Sequence, residues 1–341
     1  MELWSTRTPE VRTAEGQAER AELAGWDGIT FTDSQNLVGD PFVAVALASR
    51  VTERLRFATA VTNLATRHPA ALANVAVTVQ EESGGRFLLG VGRGDTALFH
   101  LGRTPMPVAP FGERLQELQT YLRGGSVELN GFASRLRWLD RTREAKVPLD
   151  VAASGPKVID LAARVADRIT FAVGADPDRL AWAIELARSA VADAGREPGA
   201  VAFGAYVNIG CHPDAETARS LIAGGVAAFA HFSSMPGSTG AGLAERDKAV
   251  VAEVGHRYDS HQHLRNDAAH TDVLEPDFVD RFAVVGKPDR CVERLEGLAR
   301  LGLDRFVLTG PTFGGDREAS RLADRLVRTE VLPALREAAP A

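Results

Sequence analysis

Short apolar runs alternate with amphipathic stretches along the whole chain. The runs fall at Glu2–Ser5, Gly28–Asp33, Arg56–Asn63, Arg86–Gly92, Pro148–Ser154, Arg168–Gly174, Val201–Gly210 and Asp304–Gly310, and each is rich in Val, Ile, Phe, Leu or Ala. They end at Gly, Ser, Asn or Asp, as strands buried on both faces of a parallel sheet do. Between them, helical spacing covers Pro9–Ala24, Pro69–Glu82, Phe111–Arg123, Pro156–Ala166, Asp176–Ala194, Lys287–Leu301 and Arg317–Glu337. Several of these open with proline in the first turn, where its missing N–H costs nothing. Strand-then-helix units in series predict parallel strands joined by right-handed crossovers.

Two architectures share that alternation: an open doubly wound sheet and a closed barrel. The open sheet would carry a dinucleotide fingerprint, and the best candidate is Gly90-Val91-Gly92-Arg93-Gly94-Asp95. It has aspartate where the third glycine belongs, and it follows the fourth strand rather than the first. About eight strands remain, the number a barrel needs, so the expectation is α/β, a (β/α)8 TIM barrel with insertions. One domain spans 1–341. Two stretches interrupt the pattern. Gly124–Lys146 reads as a small hairpin, and 227–280, with Pro236-Gly237-Ser238-Thr239-Gly240-Ala241-Gly242 inside it, reads as a lid or dimer contact.

Composition narrows the class. Apolar residues make up 45% and charged ones 25% of 341 residues, an ordinary globular balance with enough apolar material for a core. Cys211 and Cys291 are far apart and form no Cys-x-x-Cys pair, which argues against a disulfide framework or a zinc site. The net charge of −6 opposes a general nucleic-acid role. No run has the length of a membrane span, so a cytoplasmic protein with a small-molecule substrate is expected, with neither membrane nor nucleic acid as partner.

A barrel's chemistry sits at the C-terminal ends of its strands. Those ends carry Asp33-Ser34-Gln35-Asn36, Thr62-Asn63, Arg93-Gly94-Asp95, Ala153-Ser154-Gly155-Pro156-Lys157 and Gly174. Ser154–Lys157 is a small-residue turn leading into a helix. It can be a phosphate cradle with Lys157 adding charge, or an ordinary helix cap with a surface lysine. Asp33 and Asp95 can form a carboxyl pair in which one serves as an acid, or each can cap its own turn. Arg93-Gly94-Asp95 as an adhesion tripeptide is chance. His256, His261, His263 and His270 lack the spacing of a helical zinc motif, so no metal is expected. Phe87, Leu88 and Leu89 are core.

Together these segments resemble the deazaflavin-dependent members of the luciferase-like superfamily, with the methylenetetrahydromethanopterin reductases as the nearest branch. The resemblance lies in Gly25-Trp26-Asp27-Gly28 with Thr32–Asn36, Val61-Thr62-Asn63 with Arg67-His68-Pro69, and Ser83-Gly84-Gly85-Arg86 with Gly90–Asp95. It continues in Ala152–Lys157, Val285-Gly286-Lys287-Pro288 and Leu301-Gly302-Leu303-Asp304. It implies coenzyme F420, with FMN as the alternative, and a cis peptide between Ala60 and Val61 behind the ring. Ala153, Ser154, Gly155, Pro156 and Lys157 would hold the phosphate with Gly174 beside it, and Thr62 and Asn63 would line the ring. Asp33 and Asp95 would face its reactive side and handle the balancing proton, while Arg93, Arg103 or Arg67 would meet the acidic tail. Ser34 stands where many relatives carry histidine, so no imidazole mechanism carries over. The implied activity is hydride transfer in a homodimer, in the direction of reducing a C=N or C=C bond. The rivals are an FMN-dependent monooxygenase and a non-catalytic flavin-binding barrel.

Overall fold

The computed structural model describes residues 1–236, 238 and 240–337. In chain order it contains β1 (Glu2–Arg7), α1 (Ala14–Leu23), β2 (Gly28–Phe31), α2 (Pro41–Arg50), β3 (Arg56–Thr59), β4 (Thr62–Asn63), α3 (Pro69–Glu82), β5 (Phe87–Gly92), α4 (Thr96–Phe99) and α5 (Val108–Leu122). A hairpin of β6 (Val127–Leu129) and β7 (Phe132–Ser134) precedes β8 (Leu149–Ala153), α6 (Pro156–Val165), β9 (Arg168–Phe171), α7 (Pro177–Asp193) and β10 (Ala202–Cys211). Then come α8 (Ala215–Ser220), α9 (Ala223–Ser234), α10 (Glu245–Arg257), α11 (Pro276–Phe282), β11 (Val284–Gly286), α12 (Pro288–Ala299), β12 (Arg305–Thr309), α13 (Arg317–Leu326) and α14 (Leu332–Glu337). The strands neighbour one another in the order β11-β10-β12-β1-β2-β3-β5-β8-β9, with β9 also on β10 and β4 on β5. That is the succession of a (β/α)8 barrel, as expected.

The chain forms two compact units. One comprises Thr6–Ala152 with Arg164–Arg168; the other comprises Met1–Ser5, Ala153–Ala163 and the chain from Ile169 onward. In the first unit, β2 pairs β3, β3 and β4 pair β5, and β5 pairs β8, all parallel. Phe31, Phe57, Phe87, Phe42 and Phe111 fill its core. Its strands are shorter than the apolar runs. β2 stops at Phe31, which frees Thr32–Asn36 as loop, and the Arg56–Asn63 run is split into β3 and β4 at Ala60–Val61, whose peptide bond is cis as expected. Gly90 and Gly92 lie inside β5, where a Cβ on Gly90 would sit 2.0 Å from the Thr59 carbonyl oxygen and one on Gly92 would sit 2.7 Å from Val61 Cγ2. These glycines serve close strand contact, not a phosphate.

Helix α2 was not expected, because Phe42–Ala48 reads as one apolar run. Asp40 caps it, accepting from Phe42 N–H at 2.8 Å, with Pro41 opening the first turn. Helix α1 starts at Ala14, several residues after Pro9, since Pro9–Thr13 forms turns first.

In the second unit β12 pairs with both β1 and β10, and β10 continues to Cys211, where it gains β11 as a partner. Arg305 is buried on this sheet, 4.9 Å from the Trp4 ring and donating to Thr170 Oγ1 at 2.6 Å. The long excursion holds α9, α10 and α11; Gly237 and Thr239 of its glycine-rich stretch lie outside the described residues. The expected terminal helix is interrupted by a π turn over Val327–Val331.

Candidate active site

The first unit gathers acids and hydroxyls. The loop after β2 carries Asp33, whose side chain is only 5% exposed and lies 3.4 Å from Arg67 Nε. Arg67 also donates to Asp40 Oδ2 at 2.8 Å and lies 5.0 Å from the centre of the Phe42 ring. Burial works against the Arg67 charge, but the bond to Asp40 and the charges of Asp33 and Asp40 outweigh it and hold its pKa above the usual arginine value. Arg67 is thus engaged with two carboxylates of its own chain, which departs from its expected place on an acidic tail. Gln35 Nε2 donates to the Ala97 carbonyl at 2.7 Å and so ties the Asp33 loop to α4, the helix at whose N-cap Asp95 stands. Asp95 makes no side-chain cap bond to that helix.

Asn63, at the end of β4, is drawn into shaping its own loop. Its Oδ1 accepts from Ala65 N–H at 3.1 Å, Thr66 N–H at 2.9 Å and Thr66 Oγ1 at 3.0 Å. Gly94 approaches it so closely that a Cβ there would lie 3.4 Å from Asn63 Cβ. The Thr62 hydroxyl and the Ser34 hydroxyl are buried and meet no hydrogen-bond partner in the described protein. Buried hydroxyls left unmatched are expensive, and a ligand or water that bonds to them recovers that cost. Arg93 donates from Nε to the Met106 carbonyl at 2.6 Å, and burial lowers its pKa. It therefore braces the loop before α5. Arg103 is exposed and reaches the Ala65 carbonyl at 3.4 Å.

The second unit gathers small turns and cations. Ala153 ends β8, and its carbonyl accepts from Ala172 N–H at 2.8 Å, which sets the Ser154–Lys157 turn beside the Val173–Ala175 turn. Gly155 C=O accepts from Val158 and Ile159 N–H, so Pro156 and Lys157 form the first turn of α6, where backbone N–H groups lack intrahelical acceptors. Lys157 is exposed and Gly155 is buried. The Ser154 hydroxyl donates to the Phe232 carbonyl of α9 at 3.2 Å, a link to the excursion that sequence gave no sign of. Gly174 has φ +83°, and a Cβ on it would meet the Phe282 ring at 2.9 Å, so only glycine fits. The glycine at 174 therefore answers to the Phe282 ring, and it is the start of α6 that offers backbone N–H groups to an anion.

Two groups escaped the sequence reading. Asn208, on β10, is fully buried with neither amide atom bonded in the described protein. Arg179, in the first turn of α7, is buried as well. Neither position carries a motif. His263 and His270 of the histidine-rich stretch pack about Tyr258, with His263 Nδ1 2.5 Å from Tyr258 Oη and ring centres of Tyr258 and His270 4.5 Å apart. Among the described residues no cluster of His, Cys, Asp or Glu is gathered that could hold a metal ion, and no helix is long and apolar enough to cross a membrane.

Comparison with known proteins places these features in a family. The luciferase-like monooxygenase family matches residues 2–305. A 5,10-methylenetetrahydromethanopterin reductase from Methanolobus tindarius is 28% identical over 312 residues, covering 89% of this chain and 92% of its own. The solved coenzyme F420 dependent tetrahydromethanopterin reductase from Methanopyrus kandleri is similar in fold with a TM-score of 0.74 at 21% identity, over 98% of this chain and 99% of its own. An F420-dependent secondary alcohol dehydrogenase, solved with an F420-acetone adduct, gives 0.75 at 17% identity over 98% of both chains.

Proposed function

The chain belongs to the luciferase-like monooxygenase family, and we propose that within it the protein is an F420-dependent oxidoreductase that moves a hydride between the deazaflavin and a small organic substrate. Reduction of a C=N or C=C bond is the proposed direction. The observation that carries this reading is similarity to reductases along nearly the whole chain, not in one segment. Unmatched buried hydroxyls, and the start of α6 where backbone N–H groups lack intrahelical acceptors, fit such a ligand.

The cofactor supplies the hydride chemistry when bound. Ser154, Gly155, Pro156 and Lys157, with Ala153 and Gly174, are proposed to hold its phosphate by backbone N–H groups and one ammonium. Ser34, Ala60, Val61, Thr62 and Asn63 are proposed to line its ring, with Arg93 toward its acidic tail. Asp33 or Asp95 exchanges the balancing proton, and Arg67 fixes the direction of the Asp33 carboxylate. The 227–280 segment is proposed as a lid or dimer contact of a single-domain protein that works as a cytoplasmic homodimer.

Titration of the purified protein with F420 and with FMN tests the reading. F420 should bind and be oxidised or reduced, with no oxygen consumed. Binding of FMN alone, with oxygen uptake when it is reduced, would replace it by a monooxygenase. Binding of neither would leave a non-catalytic barrel.

A further inference from the structure

The turn after β9 is held in an unusual way. Both carbonyls that flank Gly174 are taken by guanidinium groups. Arg179 Nη1 donates to Val173 C=O at 2.9 Å and to Ser233 Oγ at 2.9 Å, while Arg294 Nη2 donates to Ala175 C=O at 3.1 Å and to Arg281 C=O at 3.2 Å. Ala175 N–H donates to Phe282 C=O at 2.8 Å. None of these bonds uses the N–H of Gly174, which stands between two carbonyls whose negative ends are covered by cations.

Arg179 is the costlier of the two cations. It is 1% exposed, its Nε and Nη2 meet no acceptor in the described protein, and its guanidinium lies 5.8 Å from the centre of the Phe282 ring. Burial pulls its pKa down to about 10, against the raising effects of Asp176 and Asp247. Asp247 is committed to Arg281, and Asp176 accepts the Arg179 backbone N–H at 2.9 Å as the cap of α7. A buried guanidinium that bonds only neutral oxygens is a poor way to stabilise a fold, since an apolar chain of similar size would avoid the desolvation cost. An anion at the neighbouring turn would give that charge a counterpart and explain its retention.

We propose that Arg179 is a positioning residue for the anionic group of the ligand. By bonding the Val173 carbonyl it fixes the plane of the Val173–Gly174 peptide, and so the direction of the Gly174 N–H on the opposite edge, and it sets a positive field over the paired turns 153–157 and 173–175. Through Ser233 it also fixes the last turn of α9, whose Phe232 carbonyl receives the Ser154 hydroxyl. The inference rests on the phosphate-cradle reading above, extended to a residue that does not itself touch the ligand.

The test compares two probes: F420, and the deazariboflavin core alone, which lacks the phosphate and the acidic tail. The wild type should prefer F420 by about a hundredfold, the scale of a few charge-assisted hydrogen bonds. Arg179→Met should lose about tenfold of that preference, with affinity for the bare core unchanged. Arg179→Gln, which keeps hydrogen-bonding capacity and loses the charge, serves where the methionine variant does not fold, and should show the same loss. A purely structural role would lower both affinities together, or be rescued by glutamine, and either result overturns the proposal. A wild type that binds the two probes alike overturns the cradle reading and this inference with it. A wild type that discriminates, beside a folded Arg179→Gln that discriminates equally, overturns the role of Arg179 alone.

Discussion

The strand ends of the first unit and the turns of the second solve opposite electrostatic problems. In the first, Asp33 and Asp95 are carboxyls, Thr62 and Ser34 offer hydroxyls with no protein partner, and the main cation, Arg67, is shared between Asp33 and Asp40. In the second, backbone N–H groups, Lys157 and the guanidinium groups of Arg179 and Arg294 dominate. Proton transfer needs groups that can change charge, so they sit on side chains. Holding a permanent anion needs groups that cannot, and the backbone with arginine supplies them. Changes at the carboxyls of the first region should therefore alter turnover at constant cofactor affinity, and changes in the second region should do the reverse.

The largest effect expected is on turnover. Asp33→Asn should lower kcat by about a hundredfold to ten-thousandfold if Asp33 is the proton-exchanging acid, with the F420 dissociation constant within about twofold of wild type. Asp95→Asn, measured beside it, identifies the acid: the group that exchanges the proton shows the larger loss. Equal weakening of F420 binding by both variants would erase the distinction between the regions. Next in size is Gly174→Ala. With φ +83° and a ring 2.9 Å from the new Cβ, it should cost about 2–4 kcal/mol of stability. It should also weaken F420 binding strongly at any temperature where the variant stays folded. A denaturant melt with parallel titrations reads both, and a variant with wild-type affinity would remove Gly174 from the anion site.

Arg67→Met should lower kcat by about tenfold, because Asp33 loses the cation 3.4 Å away that directs it. The same change on an Asp33→Asn background should have little further effect. If the two losses simply multiply, Arg67 does not act through Asp33.

The two regions also differed in how legible they were. The apolar runs revealed the barrel because buried parallel strands have a one-dimensional signature. They overran at Asp33, since a polar residue just past a strand looks like its end until the backbone turns, and they hid the break at Ala60–Val61 that divides β3 from β4. Helix α2 was hidden by the reverse effect: Phe42–Ala48 is apolar enough to look like a strand, although Asp40-Pro41 is a cap followed by a first-turn proline. Ser154–Lys157 and Gly174 announced themselves through turn chemistry. Arg179 did not, and Arg67 was placed on an acidic tail, because the bonds they make go to partners far off in sequence: Asp33 and Asp40 for Arg67, and Ser233 on a different helix for Arg179, and nothing in the spacing joins them.

The smallest effect concerns pH and belongs to the excursion of the second unit alone. His270 is 1% exposed, packed against Tyr258, and its pKa is lowered by burial, with Asp259 opposing and His231 adding to the shift. A histidine whose folded-state value lies below its unfolded value binds fewer protons when folded. Its stabilising effect is therefore present above the unfolded value and is lost as pH falls through that value toward the folded one. Acidification from about pH 7.5 to about pH 5.5 should lower the melting temperature by a few degrees, and His270→Phe should flatten that dependence. Asp33→Asn should leave the slope unaltered, since its region lies in the first unit. A melting profile whose acid slope survives His270→Phe would move the sensitivity elsewhere.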